Sequence, residues 1–130
     1  MVVVDSSGWI EYFTDGPLAA AYAKYLKDLS RIATPTTVLY EVYKKIKRER
    51  SEEDALSVAA VMNRTTVVPL TESIALLAAD LSLKHSLPMA DAIVYATAVE
   101  KQCNLISSDG HFKNLKGVTF IGVKSVGRDG

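Results

Sequence analysis

Four carboxylates in this sequence stand where they could do chemistry together: Asp5, Glu41, Asp91 and Asp109. Asp5 directly follows three valines in "MVVVD", and Asp109 ends "NLISSD". Each reads as the last residue of a buried strand, which would set both at one edge of a parallel sheet. Sites in such sheets form beyond the carboxyl ends of the strands. Asp91 lies in "LPMADAIVYATAVE", residues 87–100, which reads as a helix apolar almost all the way round. The helix dipole favours an acid in the first turn by about 0.3–1 kcal/mol, whereas desolvating an ion costs several kcal/mol. A cation or strong donor is therefore expected beside Asp91. Carboxylates gathered at one edge repel each other unless a cation joins them. An all-oxygen set of this kind suits a hard divalent ion such as Mg²⁺ or Mn²⁺. Such an ion polarises a phosphoryl oxygen or activates water.

Each acid also has an ordinary role open to it. Asp5 suits a helix cap, and Asp109 with Gly110 suits a tight turn. Glu41 sits at the margin of the stripe Val38, Leu39, Val42 and Ile46, four residues before Lys45. That order favours an ion pair of about 0.2–0.5 kcal/mol, and spacing alone prefers the pair. His85 and His111 read as isolated, solvated or hydrogen-bonded side chains. No His or Cys spacing suggests zinc. Neither G-x-x-x-x-G-K nor G-x-G-x-x-G is present, and the G-x-S-x-G of the α/β-hydrolases is missing. One basic run, "KKIKRER" at residues 44–50, continues the helix of Glu41. Its Lys44, Lys45, Lys47 and Arg48 form either a solvated face or a grip on phosphates flanking the acidic edge.

These residues need a scaffold, and the chain supplies an alternation of strands and helices. "MVVVD", "RIATP", "TTVVPL", "NLISSD" and "VTFIGV" read as strands. "SSGWIEYFT" reads as a capped helical turn, broken by Asp15–Gly16, and "PLAAAYAKYLKDLS" as a helix opened by Pro17. "TVLYEVYKKIKRER" follows with Thr36 or Thr37 as its cap, then "SEEDALSVAAVMNR" with Ser51 and Asp54 resembling a capping box. Thr71 caps "ESIALLAADLSLKHS", and Pro88 opens the Asp91 helix. The pattern predicts an α/β sandwich with a mostly parallel central sheet flanked by helices.

At 130 residues the chain suits one domain with a sizeable core. It is 48% apolar and 23% charged, as a soluble globular protein is. Its 15 basic and 15 acidic residues cancel, so net charge points to no nucleic-acid or membrane partner and only local clustering could. The lone Cys103 permits neither an intrachain disulfide nor a thiolate metal site, which fits a reducing, cytoplasmic setting. The opening lacks the basic region of a signal peptide, and no apolar run approaches the roughly 20 residues of a membrane span. The folded unit is expected over residues 1–123, with 124–130 as a frayed tail.

From residue 1 to about 123 the sequence resembles the PIN-domain nucleases, and more closely their VapC-type toxin branch. "VVVDSSGWIEYF" is similar to the opening strand with Asp5 at the first acid, and "TPTTVLYEVYKKI" carries Glu41 at the second. "LPMADAIVYATA" carries Asp91 at the third, and "NLISSDGHF" carries Asp109 at the fourth, with the hydroxyl residue Ser107 two positions earlier. Each motif is short, but all four in order are specific. The resemblance implies a three-layer fold and an acidic pocket holding Mg²⁺ or Mn²⁺ through Asp5, Asp91 and Asp109, with Glu41 ligating or orienting water. It also implies endonuclease activity on RNA, a small antitoxin partner and a homodimer. Glu41 is promoted over its ion pair only by this resemblance. Housekeeping PIN nucleases of RNA processing share the motifs, and a non-catalytic module that grips RNA or an antitoxin is a further reading. A phosphorelay receiver domain would need an acid pair after the first strand and an Asp after the third. Here Val4 precedes Asp5, the third strand ends "VVPL", and Lys124 is its only support.

Overall fold

A run of β-branched valines with no polar alternation belongs in a strand covered on both faces. In the computed structural model, which describes residues 1–122, β1 (Val2–Val4) is the middle strand of a sheet ordered β3-β2-β1-β4-β5. Its neighbours are β2 (Ile32–Pro35) and β4 (Asn104–Ser107), with β3 (Thr66–Val68) and β5 (Val118–Phe120) at the edges. All four pairings are parallel, so the sheet is wholly rather than mostly parallel. Val4 pairs with Ile106, which brings the ends of β1 and β4 level.

The helices come in consecutive packed pairs: α1 (Ser6–Phe13) with α2 (Ala19–Leu26), α3 (Thr36–Glu49) with α4 (Glu52–Met62), and α5 (Glu72–His85) with α6 (Met89–Glu100). The chain steps from β1 outward through β2 to β3, then returns past β1 to β4. Right-handed crossovers put α1–α4 on one face and α5–α6 on the other, giving three layers. The reversal lies between β1 and β4, so the crevice where such sheets bind ligands opens at the ends of these two strands. No described helix is long and apolar enough to cross a membrane.

Local chemistry explains where elements start and stop. Ser51 accepts from the Asp54 N–H at 3.0 Å and Thr71 from the Ile74 N–H at 3.2 Å, as expected of caps. The expected cap at Thr36 or Thr37 is not formed. Thr36 is already helical, Pro35 occupies the cap position without a side-chain bond, and Thr37 Oγ1 is buried with no hydrogen-bond partner among the described residues. The helix read over "PLAAAYAKYLKDLS" divides into α2 and a 3₁₀ turn at Leu29–Arg31. Asp28 causes the break, accepting from Ser30 N at 3.1 Å and Ser30 Oγ at 2.6 Å, a local bond that competes with the helix. β5 stops at Phe120, short of the "VTFIGV" reading, and residues 123–130, including the expected tail and Lys124, lie outside the described residues.

Gly8 shows how closely α1 and α2 approach. A Cβ built on it would lie 2.3 Å from a ring carbon of Tyr22, which is fully buried. Gly8→Ala is expected to destabilise the fold by about 1–3 kcal/mol through overpacking, against a helix-propensity gain of at most about 1 kcal/mol. A urea unfolding midpoint equal to that of the parent would show that the ring yields instead.

Candidate active site

Asp5 follows β1 and keeps its main chain in the ladder, its N–H donating to Ile106 O at 3.0 Å. Its side chain then turns back to cap α1. Oδ1 accepts from Ser6 N at 2.8 Å, and Oδ2 accepts from Ser7 Oγ at 3.3 Å and from Ser107 Oγ at 2.8 Å. The cap role and a site role are therefore compatible, because the cap is what fixes the carboxylate at the crevice. Ser107 is fully buried and does two jobs: it donates to Asp5 and accepts from Asp109 N at 3.0 Å. One hydroxyl thus ties the strand ends that carry the two acids. Behind it, Tyr22 Oη and Ser108 Oγ are hydrogen-bonded at 2.5 Å, tying α2 to the same turn.

Asp109 is not the last residue of its strand. β4 ends at Ser107, and Asp109 caps the 3₁₀ turn Gly110–Phe112, accepting from His111 N at 2.9 Å. The turn reading was sound, and the residue still lies at the same sheet edge as Asp5.

Asp91 also departs from expectation. From Ala92 to Ala98 only Ile93 is less than fully buried, but Met89 in the first turn is 78% exposed. The helix emerges from the core at its start, so Asp91 sits on the rim of the crevice with its side chain 16% exposed. The donor it needed is His111. Nδ1 of that residue lies 3.0 Å from Asp91 Oδ2 and 2.9 Å from Asp109 Oδ1. One ligand atom from each of Asp91, Asp109 and His111 falls within 4.8 Å of the others. Spacing alone makes His111 look isolated; its one signal is its place two residues after Asp109 on a short turn. His85 does stand apart, edge-on to Tyr95 with ring centroids 6.0 Å apart.

A family model described as PIN domain matches residues 2–118. The chain belongs to the PIN-domain family. The PIN fold is also found in solved structures similar to this chain. A toxin–antitoxin complex from Klebsiella pneumoniae is 20% identical, covers 92% of this chain and 96% of its own, and superposes with a TM-score of 0.79. Mycobacterium tuberculosis VapC20, a toxin cleaving the sarcin–ricin loop, is 21% identical over 86% of this chain and 92% of its own, with a TM-score of 0.70. Rickettsia felis VapBC2, bound to a DNA fragment from its promoter, is 12% identical over 93% and 98%, with a TM-score of 0.72. Among curated proteins none matches the sequence. Membership of the PIN family sets aside the receiver-domain reading.

In this PIN domain the acids act on one another. Burial raises the Asp91 carboxyl to about 7, Asp109 and Asp5 push in the same direction, and His111 opposes them. Burial also raises Asp5, against its hydrogen bonds from Ser107 and Ser6. Glu41 is raised by burial and then by the charge of Asp5, and it lines a cavity with Ser6, the residue after Asp5. It does not pair with Lys45 as spacing suggested, because Lys45 Nζ lies 2.8 Å from Glu49 one turn further on.

The basic run divides. Lys44, Lys45 and Arg48 line an open cavity of about 310 Å³ together with Glu41 and Ser6. Lys47 faces α4 instead, 3.1 Å from Glu52.

Proposed function

We propose that this PIN-domain protein is a Mg²⁺- or Mn²⁺-dependent endoribonuclease and the toxin of a toxin–antitoxin pair. The observation that carries the proposal is the convergence of Asp5, Asp91 and Asp109, from three separate elements, on the crevice between β1 and β4. Their donor chemistry fits a hard divalent ion: the oxygens are carboxylates, burial and the neighbouring acids raise the proton affinity of Asp5 and Asp91, and His111 Nδ1 lies between Asp91 and Asp109. Asp5, Asp91 and Asp109 would hold the ion, which when bound supplies Lewis-acid polarisation of a phosphoryl oxygen and a more acidic water. Glu41, on the wall facing Asp5, orients a water and accepts its proton. Ser107 keeps Asp5 and Asp109 at fixed separation. Lys44, Lys45 and Arg48 hold substrate phosphates beside Glu41.

The structural likeness to toxins solved with antitoxins supports an antitoxin partner for this chain, and the homodimer goes with the same reading. A housekeeping RNA-processing nuclease would have the same pocket; an adjacent gene for a small DNA-binding protein separates the toxin from it. The test of the activity is single-stranded RNA incubated with the purified protein. Cleavage is expected with Mg²⁺ or Mn²⁺ and not with EDTA. RNA binding without cutting in either metal would favour the non-catalytic module.

The basic run gives a further expected result. Lys45→Glu with Arg48→Glu should weaken RNA binding and lower the slope of log affinity against log salt by about 1.4, at about 0.7 per phosphate contact on a single strand. Lys47→Glu, on the other side of α3, should change neither. An unchanged slope in the double variant would return the run to a solvated face.

A further inference from the structure

Tyr40 is an unusual neighbour for an acidic pocket. The buried stripe of α3 is Val38, Val42 and Ile46, and Tyr40 lies off it, 62% exposed. Leaving so much aromatic surface in water contributes nothing to the core. The ring lines the same cavity as Glu41 and Ser6. The Lys44 ammonium lies 5.4 Å from the ring centroid and donates to Tyr40 Oη at 3.2 Å. Lys44 makes no ion pair among the described residues, whereas Lys45, Lys47 and Arg48 all do. Tyr40, Lys44 and Arg48 follow one another at four-residue intervals, a single stripe of about 12 Å at 1.5 Å per residue.

We propose that this stripe is the entry track for a single-stranded RNA segment, with one unpaired base stacked on Tyr40 and the phosphate beside it held by Lys44. The proposal rests on the nuclease reading above and adds the residues that hold one base of the strand and the phosphate beside it. An aromatic ring set in a basic groove is the combination that grips single strands, since every base offers a π-face and the backbone follows the cations. A duplex keeps its bases stacked inside the helix and offers Tyr40 none, so the track selects loops, bulges and ends. Lys44 over Tyr40 is also an ordinary contact between helix neighbours four residues apart, worth a few tenths of a kcal/mol. That contact accounts for the pair but not for its place on the wall beside Glu41.

Asp91→Asn protein, which should bind without cutting, provides the background. Fluorescence anisotropy is read with a fluorescein-labelled mixed-sequence 12-nucleotide RNA, single-stranded or annealed to its complement. Adding Tyr40→Ala should weaken single-strand binding about tenfold, within the range for loss of one stacked base, and leave duplex binding nearly unchanged. Tyr40→Phe keeps the π-face and should restore single-strand affinity, which loss of a helix contact to the hydroxyl would not predict. Lys44→Ala should lower the single-strand salt slope by about 0.7. Equal single-strand affinity for Tyr40→Ala and its parent would overturn the track while leaving the nuclease reading intact; the exposed ring would then belong to a protein contact. Failure of the Asp91→Asn parent to bind either RNA would overturn both.

Discussion

Asp91→Asn should reduce RNA cleavage by more than 100-fold and remove most of the rise in melting temperature that millimolar Mg²⁺ or Mn²⁺ gives the parent. Groups that merely orient a metal ligand cost about 10–100-fold when removed, and a ligand costs more. The thermal effect is ligand linkage: an ion bound only by the folded state stabilises it by RT ln(1 + c/Kd), where c is the ion concentration. Cleavage by synchronous RNA assays and melting by differential scanning fluorimetry check the two halves separately. If the metal-induced shift is the same in the variant and its parent, Asp91 is not in the site.

The same substitution has an opposite effect on the metal-free protein, and the direction depends on pH. The Asp91 carboxyl is raised from 3.8 to about 7. Between those values the folded form holds more protons at this group than the unfolded form, so its contribution to stability in EDTA is fully present below about pH 4 and is lost as pH rises towards 7. Asp5 and Glu41, also raised, add to the fall. Asp91→Asn removes one of these contributors, so in EDTA the variant should lose less stability between pH 5 and pH 8. Urea titrations at the two pH values measure it, and equal losses would mean that the Asp91 charge is already compensated by His111.

Why the placement of Asp5 and Asp109 at one sheet edge is legible in the sequence while that of His111 is not is a matter of what sequence patterns encode. The run of valines before Asp5 specifies a strand buried on both faces, and a parallel sheet has only one edge where such strands end. The strand–helix alternation likewise fixes the layers. Asp91 was noticed because its apolar neighbours made a charge there costly, although its exposure in the first turn depended on how α6 leaves the core, which periodicity does not record. Glu41 is the opposite case. Its local spacing favours Lys45, but Lys45 pairs with Glu49 and Glu41 lines a cavity with Ser6 from α1, a neighbour that only the fold supplies. His111 is placed by a 3₁₀ turn whose geometry is set by Asp109 and Ser107. No periodicity announces a three-residue turn. Tyr40 was invisible for a related reason: exposure of a single aromatic on a helix is decided by its neighbours' packing, here the choice of Val38, Val42 and Ile46 as the buried stripe.

The RNA fragments should carry 5′-phosphate and 3′-hydroxyl ends. If the acids of the crevice hold a divalent ion and Glu41 orients water, as proposed, the nucleophile would be water and not the neighbouring 2′-hydroxyl. A single 2′-deoxy nucleotide at the cut position should therefore still permit cleavage, reduced only as far as that hydroxyl contributes to recognition. The competing route attacks through the 2′-hydroxyl with a general base and a general acid, tolerates EDTA, and leaves a 2′,3′-cyclic phosphate. It is poorly provided for here. His111 is held between Asp91 and Asp109, and His85 lies against Tyr95 in a separate cavity with Cys103 and Lys116. The two imidazoles therefore do not form an acid–base pair across one phosphate. Mass spectrometry of the fragments distinguishes the routes by which side of the cut keeps the phosphate, the downstream fragment in the first and the upstream fragment, as a cyclic phosphate, in the second, and end-labelling by a kinase that needs a free 5′-hydroxyl gives an independent reading. Cyclic phosphate ends, or undiminished cutting in EDTA, would overturn the carboxylate–metal mechanism even if the protein cuts RNA.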